Sequence, residues 1–117
     1  MNEPGHHKVY YERLRKRRTE VMMTLEHVRK EQRLVDDNTD WMDQAAYESR
    51  VDLLDNLIEW YTREAARIDD ALIRIAEGKY GLCLACRRPI ESARLESCPE
   101  AAFCTECQNS REALTHP

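Results

Sequence analysis

Aromatic residues and glycine are scarce in this chain: its 117 residues include one Phe, two Trp, five Tyr and three Gly. With 34% charged residues as well, it cannot build a large layered core, and one small domain plus an extension is the ceiling. A basic excess is also missing. The formal net charge of −4 argues against general nucleic-acid binding, which needs a cationic footprint. Near the C-terminus Lys79, Arg87, Arg88, Arg94 and Arg111 are balanced by Glu91, Glu96, Glu100, Glu106 and Glu112, so that segment is no phosphate cradle either. No apolar run approaches the ~20 residues of a membrane span. Met1–Lys8 holds no apolar segment of the signal type, so the expected compartment is the reducing cytoplasm.

Cysteine, by contrast, is concentrated and patterned. Cys83, Cys86, Cys104 and Cys107 form Cys-x2-Cys-x17-Cys-x2-Cys. Two intervening residues let both thiolates of a pair reach one ion from a tight turn, and the longer spacer brings the second pair opposite the first, so the quartet reads as a zinc site. Two disulfides, or a redox Cys-x-x-Cys, are the competing readings, and the expected reducing compartment disfavours the former. Four thiolates fill a tetrahedral zinc and leave no position for water, which argues for one structural Zn2+ and against zinc catalysis, and no enzyme is expected. The segment 78–117 is near the ~40 residues below which a folding unit usually needs a staple. The fifth cysteine, Cys98, has no partner at ligand spacing and is read as a bystander.

The middle of the chain is periodic. Tyr47, Val51, Leu54, Ile58, Tyr61, Ala65, Ile68, Leu72 and Ile75 step alternately by three and four, which is heptad packing. Tyr11, Leu14, Arg18, Val21, Leu25, Val28, Gln32 and Val35 repeat the pattern less cleanly over an expected helix from about Val9 to Val35. Between them lies the apolar-free run Asp36-Asp37-Asn38-Thr39-Asp40. Folded at about Trp41, the chain sets Leu14 opposite Ile68, Val21 opposite Tyr61, Val28 opposite Leu54 and Val35 opposite Tyr47. The expectation is therefore a mainly α fold: a monomeric antiparallel two-helix coiled-coil hairpin over 1–77, then a four-cysteine zinc ribbon with a short C-terminal helix over 78–117. At about 1.5 Å per residue each arm is roughly 40–50 Å long. The basic run Arg13–Arg18 falls beside Glu64, Asp69 and Asp70, which predicts solvated pairing between helices. Gly78 is placed to stop the second helix.

At the expected tip, about 36–45, Asp40 reads as an N-cap and Asp43 as a first-turn acid. Capping accounts for one or two carboxylates. It leaves the crowding of Asp36, Asp37, Asp40, Asp43 and Glu48 to be explained by a basic partner surface or a cation.

A tip of the form Asp-x-x-Asp-x-Ala (Asp40, Asp43, Ala45), followed by Gly81-Leu82-Cys83-Leu84-Ala85-Cys86, Pro89-Ile90, Arg94-Leu95-Glu96 and Cys104-Thr105-Glu106-Cys107, resembles the DksA/TraR family of bacterial transcription factors. The resemblance runs from about Tyr11 to Leu114. It implies binding to RNA polymerase without binding DNA, insertion of the coiled coil through the secondary channel, tip aspartates acting near the catalytic magnesium on open-complex stability, and zinc on the four cysteines. Against that family the chain is abbreviated at its start, carries Arg87 where glycine often follows the second cysteine, and has bulky Trp41 and Met42 at the tip. Members that respond to the alarmone ppGpp place basic residues on the second arm and after the last cysteine. Here Trp60 and Glu64 stand on the arm with Arg67 the remaining cation, and Gln108 follows Cys107, so ppGpp dependence is less expected than polymerase binding. Two other classes compete: a zinc-stapled interaction adaptor, which does not need the tip acids, and a redox protein using Cys83/Cys86 as a dithiol.

Overall fold

The heptad stripes and the turn between them appear as two long helices in a computed structural model, which describes residues 4–37 and 42–115. Helix α1 is Pro4–Asp37, α2 is Gln44–Ala76, α3 is Ser92–Ser97 and α4 is Thr105–Thr115. Helix α1 starts before the expected Val9 because Pro4 is tolerated in a first turn, where its missing N–H would have no intrahelical partner. The only β pairing among the described residues is an isolated antiparallel bridge, Leu82 to Pro89. No described helix is long and apolar enough to cross a membrane.

The chain divides into two compact units, one running Arg17–Ala66 and the other joining the stretch up to Lys16 with that from Arg67 onward. In the Arg17–Ala66 unit, Val28, Val35 and Leu54 form a buried cluster against which Tyr47, Val51, Leu57, Ile58 and Tyr61 pack. The expected partners Val28 and Leu54, and Val35 and Tyr47, thus share one core. Polar pairs follow the same antiparallel register. Arg17 donates to Glu64 at 3.0 Å and Arg50 to Glu31 at 2.8 Å, so 14 residues forward on α1 match 14 backward on α2. Gln32, an interruption in the apolar stripe, donates to Asp55 at 2.7 Å and so satisfies its amide across the helix pair. Arg17, not Arg18, is the half-buried member of the basic run.

In the other unit Leu14 and Ile68 are fully buried. Beyond Ile68 the buried face of α2 moves by one residue, from the expected Leu72 and Ile75 to Ala71 and Arg74. There the Arg74 guanidinium donates to the carbonyl of Ala101, in the loop between α3 and α4, at 3.3 Å. Tyr11 is likewise exposed, and Tyr10 takes the inward place, its ring 5.6 Å from that of Tyr80. Tyr80 is 1% exposed, meets His7 edge-on, and donates its hydroxyl to the Pro99 carbonyl at 2.8 Å. Burial, ahead of its neighbours Tyr10 and Glu100, pushes its pKa well above the ordinary phenol value. Tyr10 and Arg13 both donate to the Glu96 carboxylate at 3.0 Å.

Helix α2 stops as Gly78 predicts. Gly78 has φ 73°, its N–H reaches the Ile75 carbonyl at 3.1 Å, and the Lys79 N–H reaches that of Arg74 at 2.8 Å. This is a Schellman cap, which uses the last carbonyls of the helix and needs a left-handed residue at its pivot.

Candidate metal centre and hairpin tip

The first cysteine pair sits in a tight hairpin. The Leu82–Pro89 bridge closes it, Ile90 N–H donates to Gly81 O at 2.7 Å, Cys83 N–H to Arg88 O at 2.8 Å, and Arg87 N–H to Cys83 O at 2.9 Å. Arg87 has φ 64°, the left-handed conformation the turn requires, even though it is not glycine. Its Cβ makes that conformation cost about 1 kcal/mol or more, which the hydrogen bonds of the turn must offset.

The second pair opens α4. Cys104 O accepts from Gln108 N–H at 2.9 Å, so Cys104 and Cys107 share the first turn of the helix. Leu84 N–H donates to Ala102 O at 2.9 Å and ties the two knuckles together. All four Sγ atoms lie within 4.8 Å of one another. The Cys86 and Cys104 sulfurs, one from each pair, are 3.9 Å apart. A disulfide needs ~2.05 Å, whereas four sulfurs ~2.3 Å from one ion lie about 3.8 Å apart. Cys83 and Cys104 are buried and the other two half-buried. Burial opposes charge on Cys83, yet amide groups of Cys86, Cys104 and Ala85 overcome it and bring the thiol down to about 6. Hydrogen bonds with Cys104 and Cys83, ahead of burial, push Cys107 up to about 12. Ionising Cys107 as well as Cys83 calls for a cation beside them. The donor set fits zinc. Cys98 stands outside the quartet, its Sγ 3.2 Å from Glu100 Oε1.

Two side chains outside the cysteine motif, Glu91 and Arg94, brace the second knuckle. Glu91 Oε2 accepts from both the N–H and the hydroxyl of Thr105, each at 3.3 Å, and Arg94 Nε donates to Phe103 O at 2.8 Å. Its own amide and that of Thr105 hold the Glu91 carboxyl below the ordinary range. The Arg111 guanidinium lies 4.2 Å over the Phe103 ring. No local sequence pattern links Glu91 with Thr105, because the contact is made by the fold.

At the tip, Asp40 and Trp41 lie outside the described residues. Helix α2 begins at Gln44, so Asp43, expected in the first turn, is the N-cap in place of Asp40. Asp43 Oδ1 accepts from Ala46 N–H at 2.8 Å. Asp43 and Ala45 are exposed. Part of the acidic crowding is answered locally: Tyr47 donates its hydroxyl to Asp36 at 3.2 Å and Gln44 its amide to Glu48 at 2.8 Å.

Residues 78–113 match the family described as prokaryotic dksA/traR C4-type zinc finger. The chain is 35% identical over 94 residues to a Caulobacter vibrioides protein named RNA polymerase-binding transcription factor DksA; the match covers 76% of this chain and 61% of that protein, less than two thirds of its length. An uncharacterized Aquifex aeolicus protein is 34% identical over 73 residues, covering 62% of this chain and 50% of the relative. The solved structure of transcription factor DksA2 from Pseudomonas aeruginosa superposes with a TM-score of 0.86 at 27% identity, over 98% of this chain and 89% of that one. With its two-helix hairpin and cysteine quartet the chain is similar to these DksA proteins, and its residues 78–113 match the dksA/traR C4-type zinc finger.

Proposed function

We propose that this chain binds bacterial RNA polymerase and modulates transcription initiation, with the hairpin entering the secondary channel and the tip acting on open-complex stability. The observation that carries the reading is the tip: Asp43 and Ala45 stand exposed at the start of α2, at the family's effector positions, in a chain 35% identical to a protein named for polymerase binding. Asp40, Asp43 and Ala45 are the effector residues. The carboxylates act electrostatically at the polymerase active centre, and no DNA contact is required. Cys83, Cys86, Cys104 and Cys107 hold one zinc, whose role is to staple the C-terminal structure. The chain works as a cytoplasmic monomer, since a parallel dimer would juxtapose two acidic turns and two Arg13–Arg18 runs.

Response to ppGpp is weak on this reading. Glu64 is buried and engaged by Arg17, Trp60 is exposed but uncharged, and Gln108 donates to Glu112 at 3.0 Å. None of these supplies a cation for phosphate.

Asparagine caps a helix about as well as aspartate, so Asp43→Asn keeps the cap while removing the charge. The Asp40→Asn, Asp43→Asn double variant should bind polymerase nearly as wild type does but fail to change open-complex lifetime. Full transcriptional activity in the folded double variant would overturn the tip mechanism and favour the adaptor reading.

A further inference from the structure

The two cysteine pairs are organised by different means. The first is self-contained, because Cys83 and Cys86 lie within a hairpin whose own backbone bonds set their directions. The second has no hairpin: Cys104 and Cys107 begin a helix, and a helix start can pivot about the loop before it. Glu91 and Arg94 lie on either side of that pivot. Arg94 Nε holds the carbonyl of Phe103, the residue before Cys104, and Glu91 holds the N–H and hydroxyl of Thr105, the residue after it. Glu91 also follows Ile90, whose N–H is bonded to Gly81 in the first hairpin. One short segment thus links the first knuckle to both flanks of Cys104.

We propose that Glu91 and Arg94 are positioning residues for the metal centre, fixing Cys104, and with it Cys107, at ligand geometry before the ion binds. The inference rests on the zinc reading above. Neither side chain contributes a donor atom to the ion. They act by removing the freedom of the α4 start to rotate, so an ion that loses one thiolate finds it again quickly, and dissociation is slow. Groups that orient metal ligands typically change affinity by about 10–100-fold when removed.

The test is the rate at which the zinc-loaded chain gives up its metal to excess chromogenic chelator. Glu91→Ala should release zinc about tenfold faster than wild type, and Arg94→Met likewise. Glu91→Gln, which retains an acceptor oxygen for Thr105, should stay close to the wild-type rate. Cobalt(II) substituted for zinc reports the ligand geometry directly: its visible absorption bands should shift or broaden in Glu91→Ala and match wild type in Glu91→Gln, at unchanged helicity. Release from Glu91→Ala at the wild-type rate with an unaltered cobalt spectrum would overturn the inference, as would a Glu91→Gln rate as fast as that of Glu91→Ala. A wild-type chain that takes up no zinc refutes the metal reading itself, a result distinct from either.

Discussion

In the unit Arg17–Ala66 every described buried apolar side chain comes from a repeating helical position, from Val21, Leu25, Val28 and Val35 on α1 to Leu54 and Ala65 on α2. In the other unit Tyr80, Cys83, Ile90, Ala101 and Cys104 are buried from outside the helices, each at a place set by individual contacts. The first kind of core is a stripe, in which neighbouring layers do similar work and a lost layer is a local loss. The second is a set of particular bonds around a cysteine quartet, in which one missing partner unties several others. Burial of apolar area dominates the former; metal ligation and satisfied buried polar groups dominate the latter.

The largest expected effect falls on the quartet. Zinc binding to small finger domains is worth about 10–16 kcal/mol near neutral pH, so Cys83→Ser or chelation should melt the C-terminal structure. Amide exchange at Ile90, whose N–H is bonded to Gly81, should lose its protection while most far-UV helicity of α1 and α2 remains. Loss of all helicity on chelation would erase the contrast between the units. Next comes the stripe. Leu54 is 3% exposed, and Leu54→Ala should cost about 2–5 kcal/mol in denaturant unfolding without changing zinc content.

Tyr80→Phe probes the second kind of core with a single oxygen. It leaves the buried Pro99 carbonyl without its donor and should cost about 1–3 kcal/mol, while the ring packing against Tyr10 is retained. A neutral result would mean that ring burial alone holds this region. The smallest effect is acid sensitivity. Hydrogen bonds from Arg13 and Tyr10 hold Glu96 below its ordinary value of 4.5. Its contribution is therefore present above that value and lost as pH falls through the depressed folded value. Both side chains of the Arg13–Glu96 pair are exposed, so the change is small, and Glu96→Gln should flatten this part of the acid-stability curve.

The same contrast explains what could be read without coordinates. The stripe is periodic, so the hairpin, its register and the pairing of Val28 with Leu54 follow from spacing alone, as does the quartet, whose chemistry demands its spacing. Tyr10 replacing Tyr11, and Ala71 and Arg74 replacing Leu72 and Ile75, were not legible, because partners such as Tyr80 for Tyr10 and Ala101 for Arg74 lie in chain beyond the two-helix repeat, where the heptad rule has no hold. The Glu91 contact with Thr105 joins residues 14 apart through folded loops and leaves no local trace. At the tip, both Asp40 and Asp43 are good caps by type. Only the observed start of α2 at Gln44 separates them.

The most direct test of the central claim is equilibrium binding of the fluorescently labelled, zinc-loaded chain to bacterial core RNA polymerase, followed by anisotropy. The account predicts saturable binding that is competed by unlabelled chain, survives Asp40→Asn with Asp43→Asn, and is lost when the metal is removed. An intact, zinc-containing chain that shows no saturable binding would contradict it.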